Sequence, residues 1–448
     1  MSNPYKQKFH LEPEKGLLND PNGLAVFNGV YYFFHQWNRF DTTHEYKEWG
    51  LFTSKDLIHW ESQGTAILPD SKFDKNGVYS GSGIVKEGKY YLFYTGNTKT
   101  NGARKSFQCT SISEDGRTWI KQATPIETPN EFTEHFRDPK VFSGTQKYWM
   151  VVGAQDQSFV GRIALFSSND LNGWEYEGLL TSDELENMCE CPDLILDIQG
   201  ADLLVACPQV RVETKLESKS LYGYAVYKIG KFDERQKRFE SLAEYSLVDE
   251  GFDFYAPQTF KDENNRVILS AWMCGMNGET EPACPTITYG YIHCLTIPRV
   301  LTIREGKLFQ NPIQEIESMR QSPTIRFDPQ GEVDMNTMQF EILVDLIGSE
   351  SDFYLSLNED AITLSYFKEK GEVSVSRKNW ATNKIEKKAF ALAKLTNLRL
   401  FFDASSVEFF FNGGEKVFTS RFFEETKKRK IQYKGLPKTG TFKYHQLN

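Results

Sequence analysis

The chain has 448 residues, with 52 Lys+Arg against 61 Asp+Glu for a formal net charge of −9. Its 40% hydrophobic content, with 34 Phe, 21 Tyr and 8 Trp, is ample for a buried core and excludes general disorder. The acidic excess argues against a protein built to grip nucleic acid or an anionic membrane, and at about 150 residues per domain two or three domains are expected.

The N-terminal segment has no apolar stretch of the signal-peptide kind, and nowhere do about 18 apolar residues run together, so a cytoplasmic chain without membrane spans is expected. Seven cysteines, an odd number spread from Cys109 to Cys294, fit reduced thiols better than a disulfide framework. Cys189-x-Cys191 is the only close pair. With no partner pair beside it, and with no glycine-rich phosphate loop in the chain, neither a metal nor an organic cofactor is expected.

Five short runs rich in aromatic and β-branched residues read as strands, starting at Tyr31, Tyr90, Tyr148, Ala201 and Arg266, with separations of 59, 58, 53 and 65 residues. After the first three comes a second signature, Ser-x-Asp followed by Trp: Ser54 to Trp60, Ser113 to Trp119 and Ser168 to Trp174. Helical periodicity is nearly absent. Repeated units of this kind predict a five-bladed β-propeller with long loops on one face, the competing architecture being an all-β sandwich with accidental regularity.

In a propeller the first strand of each blade lines the axis, so equivalent positions converge. Ten or eleven residues before each run stand Asp20, Ser80, Asp138, Glu190 and Tyr255, of which three are acidic. Carboxylates a few ångströms apart cannot all ionise freely, and a proton donor beside an ionised carboxylate is the apparatus of glycoside hydrolysis. Calcium binding is the rival use, without a recognisable loop to support it. Asn19-Asp20-Pro21-Asn22-Gly23 and Arg137-Asp138-Pro139 are also turn signals, and the Arg-Asp pair suits either a salt bridge or vicinal sugar hydroxyls. Glu190 sits in the apolar run Met188-Cys189-Glu190-Cys191-Pro192, which suits it to the proton-donor role. Trp37, Trp49, Tyr79 and Trp272 are candidate walls of a sugar pocket or blade core, while Asn19 and Gln36 offer amides to hydroxyls.

A short helix is expected to start at Pro312, with Ile313 and Ile316 three apart, followed by alternating strands over 338–346, 361–367, 371–377, 398–403 and 406–423. Asn412-Gly413 between apolar runs signals a hairpin, and the basic run 427–430 reads as a solvated loop.

Taken together, Leu18-Asn19-Asp20-Pro21-Asn22-Gly23, Phe34-His35-Gln36-Trp37-Asn38, Trp49-Gly50, Tyr79-Ser80-Gly81-Ser82, Phe136-Arg137-Asp138-Pro139, Glu190-Cys191-Pro192-Asp193, Asp253-Phe254-Tyr255-Ala256-Pro257-Gln258 and Ala271-Trp272-Met273 resemble, in order, the motifs of glycoside hydrolase family 32, the β-fructofuranosidases. The resemblance implies an all-β chain: a five-bladed catalytic propeller over 1–310, a linker with a short helix over 311–324 and a β-sandwich over 325–448 that serves packing or oligomer formation. It implies Asp20 as nucleophile, Glu190 as general acid then base, and Asp138 as the group holding fructosyl hydroxyls. Asn19, Gln36, Trp49, Tyr79, Ser80, Arg137 and Trp272 would line the fructose subsite, with Asp253 and Tyr255 approaching the leaving group. The expected partner is a small sugar, namely sucrose, sucrose-6-phosphate or a short fructo-oligosaccharide. For a phosphorylated one, Arg39, Arg104 and Lys105 are candidate cations. Two features depart from the family pattern: Glu48 stands where His is usual, and the segment 40–47 is long. A five-bladed arabinan-cleaving enzyme and a non-catalytic sugar-binding propeller are the alternatives.

Overall fold

The computed structural model describes residues 3–448 except 101, 214–217, 275, 277 and 427. Each aromatic run falls in the second strand of an antiparallel sheet: Val30–Asn38, Lys89–Thr100, Tyr148–Asp156, Ala201–Glu213 and Val267–Trp272. Each pairs with a preceding innermost strand, respectively Gly16–Phe27, Val78–Lys86, Phe132–Ser143, Met188–Ile198 and Tyr255–Lys261. Neighbouring innermost strands pack first on second and so on round, the fifth returning to the first. The ring is a five-bladed propeller.

The second strands read as unbroken apolar runs because both of their faces are covered. In blade 2, Tyr90, Leu92 and Tyr94 pack with Phe34 and Trp49 of blade 1, while the alternate residue Phe93 packs with Met150 and Val152 of blade 3. The Ser-x-Asp signatures are turns in which the Asp carboxylate accepts backbone N–H groups, as Asp56 does from Ile58 and His59. The tryptophans that follow wedge blades together: Trp119 lies edge-on to Phe34 at 5.3 Å, and Trp174 to Phe93 at 5.6 Å. Closure is reinforced by Tyr291–Ile292, inserted after the second strand of blade 5, which pairs in parallel with Gly16 and Leu17. Gly16 is left-handed, at φ 78°, and a Cβ there would lie 1.9 Å from the carbonyl oxygen of Asn38, so only glycine fits.

Blade 5 ends with Lys307–Pro312, and a 3₁₀ turn, Gln314–Met319, leads into the second unit. The turn starts later than the expected helix because Pro312 still belongs to the blade. Two six-stranded antiparallel sheets follow, packed around Phe340, Leu355, Leu364, Leu400 and Phe409 in a β-sandwich. Asn412 and Gly413 take left-handed conformations at the expected hairpin. In the basic run, Lys427 lies outside the described residues. Arg429 is buried rather than solvated, donating to the carbonyls of Asp403 and Ala404 at 2.8 and 2.6 Å. The N-terminal segment also docks on the sandwich, where His10 bridges Asp403 and Glu408 at 3.0 Å each. Among the described residues, no helix is long and apolar enough to cross a membrane.

Candidate active site

All five innermost strands break register at the same level. The pairing skips Asn19-Asp20, Tyr79-Ser80, Asp138-Pro139, Cys191-Pro192 and Ala256-Pro257, two residues set against one on the neighbouring strand. Such bulges bend a strand and re-aim its side chains. Asp138, Cys191 and Ala256 are left-handed, with φ of 67°, 44° and 48°, a costly conformation for residues other than glycine and one that clusters at functional sites. Glu190 and Tyr255 are the last paired residues before their bulges, so Glu190 stands one position earlier in its blade than Asp138 does. The three acids therefore reach one cup from unequal positions.

Asp20 accepts a short hydrogen bond from Ser80 Oγ. Burial pushes its pKa up to about 6, with the charge of Glu190 adding to the effect and the Ser80 bond opposing it. Asp138 accepts from the Cys191 backbone N–H at 3.0 Å, and its own N–H donates to Thr95 Oγ1 at 2.9 Å. Its pKa rises to about 7, chiefly through burial. Arg137 opposes the rise, and the charges of Glu190 and Asp20 add to it. Cys191 Sγ lies 3.6 Å from Asp138 Oδ2 and 4.0 Å from Asp20 Oδ2, so the two aspartates face each other across one sulfur atom. The Cys207 hydrogen bond and burial push the Cys191 thiol up, which leaves it a neutral spacer.

Glu190 accepts from Arg137 Nε and Nη2 at 2.9 and 2.6 Å, from Gln209 Nε2 at 2.5 Å and from the Tyr255 hydroxyl at 2.7 Å. The apolar surroundings expected for it are thus absent: Met188 and Cys189 are buried, and the carboxylate lies among polar donors. Of the other expected residues, Asn19 accepts from the buried ammonium of Lys47, and Gln36 lies opposite the Asn19-Asp20 bulge. Trp272 is flanked by His293 and His44, at ring distances of 5.0 and 6.1 Å.

Two expected residues lie elsewhere. Trp49 is fully buried between blades 1 and 2, its indole donating to the Tyr79 carbonyl at 3.0 Å, so it shapes the cup from behind and presents no surface to a sugar. Asp253, also fully buried, pairs with Arg377 and accepts from the Arg421 N–H at 2.6 Å, which makes it part of the propeller–sandwich seam.

Lys47, Thr95, Gln209, His135 and Arg211 were not singled out by the sequence. Lys47 belongs to the long 40–47 segment, and burial lowers its pKa to about 8. His135, held at 3.2 Å by Arg137 Nη1, is pushed down to about 2 by burial and then by the charges of Arg137, Arg211 and Arg104. Arg137 binds Glu190 directly and Arg211 donates at 3.0 Å to Gln209, which binds Glu190 in turn, while Arg104 lies 5.7 Å over the Tyr79 ring. Arg39 and Lys105 point elsewhere: Arg39 binds Thr65 at 2.7 Å and Lys105 binds Glu127 at 3.1 Å.

The floor is closed. Beneath the acids, Pro21, Pro139, Pro192, Pro257 and Gln258 leave a void of about 10 Å³, at most one water molecule. Gln258 Nε2 donates to the Gly81 carbonyl at 2.7 Å, and Lys140 binds Asp193 at 2.9 Å, plugging the axis. As for metals, one group of ligand-type side chains stands at the rim among the described residues: Cys274, Glu281 and His293.

Known proteins resemble this chain along its whole length. A sucrose-6-phosphate hydrolase of Bacillus subtilis (strain 168) is 38% identical over 434 residues, covering 94% of this chain and 90% of the relative. One from Staphylococcus xylosus is 35% identical over 440 residues, covering 94% and 88%. The solved sucrose-6-phosphate hydrolase of Lactobacillus gasseri superposes with a TM-score of 0.90 at 29% identity, covering 100% of this chain and 94% of that one. A β-fructofuranosidase of Bombyx mori, solved as a mutant in complex with sucrose, gives 0.84 at 26%, covering 100% and 95%. Residues 10–312 match the glycosyl hydrolases family 32 N-terminal domain and residues 307–447 its C-terminal counterpart. With both halves matched in order and the acids of the motifs gathered in one cup, the chain belongs to glycosyl hydrolase family 32.

Proposed function

We propose that the cup releases terminal β-D-fructofuranosyl units from sucrose, sucrose-6-phosphate or short fructo-oligosaccharides with retention of configuration. The observation that carries this reading is the convergence of Asp20, Asp138 and Glu190 in a blind cup, each held by different partners. Asp20 attacks C2 of the fructosyl unit while Glu190 delivers its proton to the departing oxygen, breaking the C2–O bond. Glu190 then takes a proton from water, whose oxygen attacks C2 and frees Asp20 together with fructose. Tyr255 and Gln209 hold Glu190 at the leaving-group side. Asp138, fixed by the Cys191 and Thr95 bonds, holds fructosyl hydroxyls as positive charge builds on the ring. Asn19, Gln36, Tyr79, Ser80, Arg137 and Trp272 complete the reading as the fructose subsite or its immediate support.

Among leaving groups, the reading favours one that carries phosphate. Arg211 and Arg137 lie on the Glu190 side and Arg104 over the Tyr79 ring, where an anion gains charge-assisted hydrogen bonds. Arg104→Ala or Arg211→Ala should lower kcat/KM for sucrose-6-phosphate by roughly 10- to 100-fold while leaving sucrose nearly unchanged, as loss of a charged hydrogen bond implies. Equal losses on both substrates, or a wild-type preference for sucrose or kestose, would overturn the phosphate assignment. A cytoplasmic setting belongs to the same reading and is supported by seven free thiols. So does self-association through the sandwich, supported by Phe327 and Ile347, which are 65% and 63% exposed on that unit.

A further inference from the structure

The proposed reaction leaves unused the cluster at the rim of the cup. Cys274, Glu281 and His293 come from the segment that joins the second and third strands of blade 5 and clasps blade 1 through Tyr291 and Ile292. Their ligand atoms, a thiol sulfur, a carboxylate oxygen and an imidazole nitrogen, all lie within 4.8 Å of one another. Glu281 Oε1 is the hub, 2.7 Å from His293 Nε2, 3.9 Å from Cys274 Sγ and 3.1 Å from His44 Nε2. His44 arrives from the long 40–47 segment. Three side chains from two distant parts of the chain, Cys274, His293 and His44, thus converge on one oxygen.

We propose that Cys274, Glu281 and His293, with a water molecule in the fourth position, form a binding site for a zinc-class divalent cation. A tetrahedral zinc with bonds of about 2.0–2.3 Å keeps its ligand atoms roughly 3.3–3.8 Å apart. The Cys274–Glu281 contact at 3.9 Å is close to that spacing, and the Glu281–His293 contact at 2.7 Å must open by about 0.6 Å to admit the ion. One sulfur and one imidazole beside the carboxylate select a borderline-soft ion over calcium or magnesium. Entry is open on one side: the His44 side chain is 48% exposed and that of Glu281 23%, whereas that of His293 is fully buried. On coordination the Cys274 thiol releases its proton to solvent and binds as thiolate. The site also reaches the cup. His44 Nδ1 lies 3.2 Å from Lys47 Nζ, which donates to Asn19 beside the nucleophile, and Trp272 stands between the two histidines. A seated cation is neutralised by the thiolate and the carboxylate, and through the Glu281–His44 contact it fixes the 40–47 segment against blade 5.

The test is titration of the chelator-treated enzyme with Co²⁺, followed by absorption. One equivalent should bring up a thiolate-to-cobalt charge-transfer band with intense tetrahedral d–d bands, and Zn²⁺ should bleach both. Cys274→Ser should abolish the charge-transfer band, and His293→Gln should weaken binding by roughly 10- to 100-fold or more. Should His293→Gln not fold, Glu281→Gln supplies the same arm. Cys191→Ser should leave the band intact, and so should Asp20→Asn, which makes the outcome independent of the hydrolase reading. A missing band, or one that survives Cys274→Ser and disappears in Cys191→Ser, overturns the site.

Discussion

Two sets of buried charges lie in this molecule, built from the same residue types and balanced in opposite ways. At the seam between propeller and sandwich, acids and bases alternate. Arg299 binds Glu408 at 2.6 Å and Asp249 at 3.0 Å, His10 bridges Glu408 and Asp403, and Arg377 pairs with Asp253. Asp403 and Glu408 are buried there, yet His10 holds Asp403 below the usual carboxylate range, and Arg299, together with His10, does the same for Glu408. In the cup the Arg137 guanidinium is spent on Glu190, at 2.6 Å, and Asp20 and Asp138 are driven upward instead. Matched charges bind two units together, whereas crowding holds Asp20 and Asp138 toward their protonated forms.

The sharpest way to break this contrast is to neutralise one member of each set. Asp20→Asn should lower kcat by about 10⁴-fold or more, the scale of losing a nucleophile, with no loss of thermal stability. Steady-state rates and melting curves on the same sample decide it, and residual turnover near wild type removes the assignment. Glu190→Gln should lower sucrose turnover by roughly 10²–10⁴-fold, and considerably less on a fructoside with a good leaving group. A uniform loss across leaving groups speaks against the acid role. At the seam, Arg299→Ala should cost about 3–5 kcal/mol in denaturant unfolding, because it strands Glu408 and Asp249 without a partner, while the activity of the folded fraction persists.

The smallest effect is the one that pH reveals. Asp138 holds its proton to about pH 7 when folded and to about 3.9 when unfolded. Its stabilising contribution is therefore complete below about pH 4 and is lost as pH climbs through 7. Asp138→Asn should gain on the order of 1–3 kcal/mol over wild type at pH 8 and nothing at pH 4. Asp403 and Glu408 run the other way, their contribution being present above the ordinary carboxylate range and lost on acidification. An Asp138→Asn advantage that is the same at both pH values would show that the cup carries no such load.

Much of this was legible in the sequence because the propeller repeats. Aromatic runs covered on both faces mark the second strands, and a fixed step back from each reaches the innermost strand, so Asp20, Asp138 and Glu190 could be found without knowing what surrounds them. The step could not show that Glu190 stands one position earlier than Asp138, since that depends on where each bulge falls. Asp253 and Trp49 sit in motifs as well defined as the others, but local sequence does not say whether a residue faces the axis, a neighbouring blade or the second domain. Lys47 and Gln209 escaped notice because they reach the cup from a loop and from a second strand. In the sandwich, short segments such as Thr324–Arg326 and Phe353–Leu357 have too few residues to show a period on their own.

The plug of prolines, Gln258 and Lys140 under the acids has a kinetic consequence. A vessel with a single opening works as a stack, in which whatever is deepest comes out last. On the mechanism proposed above, the fructosyl half enters first and leaves after its aglycone has vacated the mouth, and only then does water reach C2 from the side the aglycone occupied. On that same mechanism a sugar hydroxyl waiting at the opening would meet C2 by the route water takes, so the closed floor makes acceptor and water compete for one entrance.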